Sequence, residues 1–122
     1  MSAPVASVIV PCRNVATTVE AAIAGVLASP LRELEVIAVD DGSSDGTLET
    51  LRALAVRDPR VTVLSSVDCG GHAGRVTLPG RGVSAARNKG LAAARGEFIF
   101  FLDADDTVEP DFYPKAVAAM RR

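Results

Sequence analysis

Short apolar runs alternate along this chain with stretches whose apolar residues recur at helical spacing, and that alternation restricts the fold more than any other feature. Ala6-Ser7-Val8-Ile9-Val10, Leu34-Glu35-Val36-Ile37-Ala38-Val39, Val61-Thr62-Val63-Leu64 and Glu97 to Leu102 are too short for buried helices and rich in β-branched or aromatic residues. Strands separated by helices imply an α/β domain with a mostly parallel sheet and right-handed crossovers. The last run, Phe98-Ile99-Phe100-Phe101-Leu102, reads as a strand buried on both faces and runs directly into Asp103-Ala104-Asp105-Asp106.

The punctuation sets the expected boundaries. Pro11 ends the first strand, because proline cannot donate to a central ladder. Asn14 then caps a helix from Val15 to Ala28, with Val15, Val19, Ile23, Val26 and Leu27 as its stripe, and Ser29-Pro30 stops it. Asp45 or Thr47 caps a second helix carrying Leu48, Leu51 and Leu54, which ends near Asp58-Pro59. Val67 to Gly82, glycine-rich and containing the lone His72, reads as a long loop. Ser84 to Arg95 is a third helix capped by Ser84, in which Gly90 marks a close approach to a neighbour. Pro110 opens a last helix striped by Tyr113, Val117 and Met120.

Composition removes several classes of function. With 122 residues, 48% of them hydrophobic, the chain suits one domain with a real core. A net charge of -2 gives no field for nucleic acid. No apolar run approaches a membrane span, and Met1-Ser2-Ala3-Pro4 lacks the basic start of a signal peptide. The chain therefore reads as cytoplasmic, peripheral to a membrane in a full-length protein, and in that compartment Cys12 and Cys69, which have no CxxC spacing, read as free thiols. No GxxxxGK[ST] loop is present. Gly80-Arg81-Gly82-Val83-Ser84-Ala85 matches GxGxxA, but it follows a glycine-rich loop instead of the first strand, so it is not the dinucleotide fingerprint.

Polar clusters follow the first, second and fourth strands: Pro11 to Asn14, Asp40 to Gly46 and Asp103 to Asp106. In a parallel sheet these collect at one edge, where open α/β sheets bind ligands. The carboxylates of Asp103, Asp105 and Asp106 form either a solvated acidic turn or a site for a hard divalent ion such as Mg²⁺ or Mn²⁺, which would let an acidic rim hold a diphosphate. Arg13, Arg75, Arg81, Arg87 and Lys89 are further sources of positive charge. Asp40 and Asp41 either hydrogen-bond their own turn or accept the N–H of a nucleobase.

Four blocks in order resemble glycosyltransferase family 2: Ser7-Val8-Ile9-Val10-Pro11-Cys12-Arg13-Asn14, Glu35 to Thr47, Gly82-Val83-Ser84-Ala85-Ala86-Arg87-Asn88-Lys89-Gly90, and Gly96 to Asp106. The resemblance implies the GT-A fold, a Rossmann-like sheet of strand order 3-2-1-4 with helices on both faces. It implies a nucleotide-diphospho-sugar donor, a UDP-sugar above all, and inverting transfer to a saccharide, lipid or protein acceptor. By the same likeness Asp41 meets the base, Pro11, Arg13 and Asn14 line its pocket, and Asn88 lies in a segment beneath the site. Asp103, Ala104 and Asp105 form the DxD, with Asp105 and Asp103 at the Mg²⁺ or Mn²⁺.

The acceptor half of the family follows the DxD and supplies the general base, which is therefore expected beyond Arg122. The resemblance makes residues 1–122 the nucleotide-sugar-binding half, inactive in transfer by itself and prone to self-association through apolar surface that the second half would cover. The competing expectation is a non-catalytic nucleotide-binding α/β module.

Overall fold

The computed structural model describes residues 3–65 and 82–121. The elements are β1 (Ala6–Cys12), α1 (Val19–Leu27), β2 (Leu34–Asp40), α2 (Thr47–Arg57), β3 (Val61–Ser65), α3 (Val83–Ala93), β4 (Phe98–Phe101) and α4 (Phe112–Met120). Among the described residues the strands form one parallel sheet of order β3-β2-β1-β4. Cys69, His72, Arg75 and Arg81, together with the long loop read between Val67 and Gly82, lie outside the described residues apart from Gly82.

Because successive strand residues face opposite sides, β1 and β2 must be apolar on both to be central. Val8, Val10, Val36 and Ala38 pack with Val19, Ile23 and Val26 of α1, Leu51 of α2 and Tyr113 and Val117 of α4. Ile9, Ile37 and Val39 face the other way, onto Ala86 of α3. Gly90 brings α3 close enough that a Cβ there would stand 2.5 Å from Ile9 Cγ2, so this glycine does mark a tight contact.

Several expected boundaries move, each for a physical reason. Pro11 does not end β1, which runs on to Cys12 and pairs Pro11 with Val39. The carbonyl of Ile9 accepts from Leu102 N, whereas that of Cys12 accepts from Asp41 N. Odd-numbered residues of β1 thus direct their backbone groups toward β4, which has ended by Phe101, and the missing N–H of Pro11 costs nothing on the β2 side. β4 is not buried on both faces: Phe98 to Phe100 are half-buried and Phe101 is 49% exposed, because β4 is an edge strand with β1 as its neighbour. Leu102 alone of that run is fully in the core. α1 starts at Val19, not Val15, and Gly82, with φ 99°, stands where Ser84 was expected to cap α3.

The amino edge of the sheet carries a buried carboxylate that holds three chain segments together. Glu35 of β2 accepts from Ser7 Oγ at 2.6 Å and from Arg95 N at 2.7 Å, and Ser7 Oγ accepts from Gly96 N at 2.8 Å. Burial would raise the Glu35 pKa, but the hydrogen bonds from Ser7 and Arg95 and the Arg95 charge outweigh it and hold the carboxyl below the usual glutamate range. The stabilisation is therefore complete above the unfolded pKa of about 4.3 and is lost as pH falls through the lower folded value. Urea denaturation across that window should show Glu35→Gln costing about 1–3 kcal/mol at pH 7, with the gap to wild type closing in acid.

Candidate functional site

The loops after β1, β2 and β4 meet at the carboxyl edge of the sheet, as the parallel topology requires. β1 carries Pro11, Cys12 and Arg13 to that edge, and β2 carries Asp40 and Asp41. With Gly82 and Val83 at the start of α3, Pro11, Cys12, Arg13 and Asp41 line a cleft of about 180 Å³. Three of the residues expected to line a base pocket thus converge.

Asp41 is the acid of this cleft. Only 2% exposed, it donates its N–H to Cys12 O at 2.8 Å, one rung beyond β2, and its Oδ2 accepts from Gly82 N at 3.0 Å. That hydrogen bond comes from the amino end of α3, where the helix dipole favours negative charge. Gly82 has φ 99°, which is why glycine suits the position. Asp40 turns into its own loop, where its Oδ2 accepts from Ser43 N at 3.4 Å. Cys12 is buried beside it; burial, then the Asp40 charge, push the thiol pKa up to about 12, so Cys12 stays protonated.

The acidic loop has a simple internal logic. Leu102 and Ala104 are buried while Asp103 and Asp105 are exposed, so the short side chain between the acids anchors the loop in the core and turns both carboxylates outward. Asp106 N donates to Asp103 O at 3.0 Å and closes the turn. Asp103, Asp105 and Asp106 can each offer one carboxylate oxygen, with all of these oxygens within 4.8 Å of one another. An exposed set of hard oxygen donors at this spacing is chemically suited to a hard divalent cation that retains water ligands. Arg87 of α3 reaches the same loop, with Nη2 3.7 Å from Asp103 Oδ1 and its guanidinium 5.9 Å from the centre of the Phe101 ring.

Other expected residues stand elsewhere. Asn14 does not line the cleft; its Oδ1 accepts from Ser44 N at 2.8 Å. Asn88 is an exposed residue of α3. Lys89 Nζ donates to the carbonyl of Ser65 at the end of β3. Gly82 and Val83, which do line the cleft, open one of the blocks that resemble the family but were given no role at the site.

The profile of Glycosyl transferase family 2 matches residues 7–122. The succinoglycan biosynthesis protein ExoO of Rhizobium meliloti (strain 1021) is 39% identical over 108 residues, which cover 88% of this chain and 27% of that protein. The chondroitin synthase of Pasteurella multocida (strain Pm70) is 32% identical over 108 residues, 88% of this chain and 10% of the synthase. The crystal structure of S. aureus TarS 1-349 in complex with UDP-GlcNAc superposes with a TM-score of 0.78 at 27% identity, covering 95% of this chain and 31% of that one. The mannosyltransferase PcManGT of Pyrobaculum calidifontis, in complex with GDP-Man and Mn²⁺, gives a TM-score of 0.77 at 29% identity, with coverage of 96% and 32%. The chain thus spans about a third or less of each of these proteins. With a family profile matched across nearly all its length and a β3-β2-β1-β4 sheet shared with GT-A enzymes, this chain belongs to glycosyltransferase family 2.

Proposed function

We propose that residues 1–122 bind the nucleotide-diphospho-sugar donor, a UDP-sugar, of an inverting glycosyltransferase whose acceptor half and general base lie in further polypeptide. The observation that carries this reading is the buried Asp41 carboxylate lining a cleft at the same sheet edge as the Asp103-Ala104-Asp105 loop. Asp41 can accept the ring N–H that uracil presents between two carbonyl groups, while Pro11 and Arg13 flank the base. The TarS structures with UDP-GlcNAc and UDP and the PcManGT structure with GDP-Man and Mn²⁺ support a donor of this class.

Asp105 and Asp103 are the residues that would hold Mg²⁺ or Mn²⁺, which when bound supplies positive charge to a diphosphate leaving group. Arg87 offsets the charge of Asp103, so Asp105 carries the larger share of the metal's affinity. Ala104 sets the direction of both carboxylates, and Asn88 lies on the helix that borders the site. The acceptor is a saccharide, lipid or protein hydroxyl. The 122-residue chain binds donor but does not transfer its sugar. No helix among the described residues is long and apolar enough to cross a membrane. Buried, protonated Cys12 suits the reducing cytoplasm. The edge of β4, unpaired by any strand among the described residues and with Phe101 exposed, favours self-association at high concentration.

Calorimetric titration with UDP tests the metal assignment. Mn²⁺ should strengthen UDP binding roughly tenfold, about 1.4 kcal/mol, in wild type and leave Asp105→Ala unchanged. An equal Mn²⁺ effect in both proteins would remove Asp105 from the metal site.

A further inference from the structure

We infer that Asn14 is a positioning residue: with Ser43, Asp45 and Thr47 it forms a clasp that fixes Arg13 against Asp41 across the cleft, and it acts without touching the donor. This rests on the nucleotide-binding reading above and deepens it by explaining how the two lips of the pocket keep their spacing.

The clasp answers where three successive backbone donors go. The N–H groups of Asn14, Val15 and Ala16 leave β1 with no further strand to pair with. They donate in turn to Ser43 Oγ at 3.0 Å, Thr47 Oγ1 at 2.9 Å and Asp45 Oδ2 at 3.1 Å, all side chains of the loop after β2. Asn14 closes the circuit, its Oδ1 accepting from Ser44 N at 2.8 Å. Asp45 Oδ1 accepts the Thr47 hydroxyl at 2.6 Å, which turns a lone pair of that hydroxyl toward Val15 N. Thr47 is fully buried.

Two further features show that the arrangement is built. Asn14 has φ 52° and, among the described residues, is the one non-glycine at positive φ, a conformation asparagine tolerates better than most residues. α1 begins at Val19, so residues 14–16 are held by the second loop and not by a helix. Arg13 directly precedes the clasp on one side, Asp41 lies just before it on the other, and no clasp residue lines the cleft. The short polar side chains between Gly42 and Thr47 are thereby explained as partners of a neighbouring loop, with no ligand needed to account for them.

Opening the clasp lowers the fraction of chains in the binding arrangement, and apparent affinity falls by that fraction. The test compares wild type with Asn14→Gly, which keeps the positive φ, Asn14→Ala, Ser43→Ala and the Asn14→Ala/Ser43→Ala pair. Thermal melts establish that each is folded. Amide hydrogen exchange is measured without ligand, and UDP affinity by calorimetry. Asn14→Ala should speed exchange at the Ser44 amide, and weaken UDP binding, by about tenfold, and Asn14→Gly by about threefold. The double variant should bind no worse than Asn14→Ala, because both changes open one clasp.

Unchanged exchange in Asn14→Ala would overturn the inference, as would losses of UDP affinity that simply add. If wild type fails to bind UDP, the nucleotide reading is what fails, and exchange alone then decides whether the clasp sets the loops.

Discussion

Asp41→Asn should weaken UDP binding by roughly 30-fold, about 2 kcal/mol, while the chain remains folded. The amide is nearly isosteric, and its oxygen can still accept the Gly82 N–H that Asp41 Oδ2 now receives at 3.0 Å. What is lost is the second acceptor. An amide NH₂ would point at the ring N–H of the base, donor against donor, in a pocket where a carboxylate that is 2% exposed has little water to turn to. The contact is to the base, so the loss should be the same for UMP as for UDP. Asp105→Ala should behave differently, sparing UMP and removing the Mn²⁺ gain for UDP. Equal losses for both nucleotides in both variants would mean that the two acids do not divide the donor between them. Calorimetry with the two nucleotides makes the comparison.

Gly96→Ala should be strongly destabilising. A Cβ there would stand 2.6 Å from Ser7 Oγ and 2.7 Å from both Ala6 C and Ser7 N. Two of those atoms are backbone of the central strand β1 and cannot give way as a flexible side chain would. Moving Gly96 aside breaks its N–H bond to Ser7 Oγ and disturbs the Arg95 contacts to buried Glu35. A cost of about 3 kcal/mol follows, or roughly 12 °C in Tm for a domain of this size. Gly25 in α1 is the matched control, since a Cβ there meets nothing within 4 Å. Gly25→Ala should stabilise by up to about 1 kcal/mol through helix propensity. A thermal melt showing similar small shifts for both would contradict the close packing of the α3–β4 turn on β1.

These residues show what the amino-acid sequence made legible and what it hid. The strands could be read because β1 and β2 are apolar on both faces, a pattern that only central parallel strands need. The order β3-β2-β1-β4 came with the family resemblance, since periodicity says which residues are buried but not beside which strand. Edge or centre was hidden for the same reason: Phe98 to Phe101 looks like a central strand, yet it has β1 as its neighbour. Pro11 misled because proline was read without knowing which side its missing N–H would face. Gly90 was legible, since a glycine inside a helix has an intrinsic cost that packing must offset.

At the site, the strand ends marked Asp40, Asp41 and the Asp103-Ala104-Asp105 loop as candidates with a turn-forming or solvated alternative for each, and the choice of Asp41 for the base and of the loop for the metal came with the family resemblance. Asn14 was found for a different reason than the one the structure supplies, because its partner Ser44 lies in another loop and local sequence favours a cap. Glu35 sat unnoticed inside an apolar run, since its Ser7 and Arg95 partners are remote along the chain.

If one sheet edge holds both ends of a nucleotide diphosphate, titration of the 122-residue chain with UDP in the presence and absence of Mn²⁺ will show it. Binding should be saturable and strengthened roughly tenfold by Mn²⁺. Asp41→Asn should weaken it with or without the metal, whereas Asp105→Ala should abolish the metal's effect alone. Affinity indifferent to Mn²⁺ and to both substitutions, or no binding of UDP at all, would contradict that arrangement.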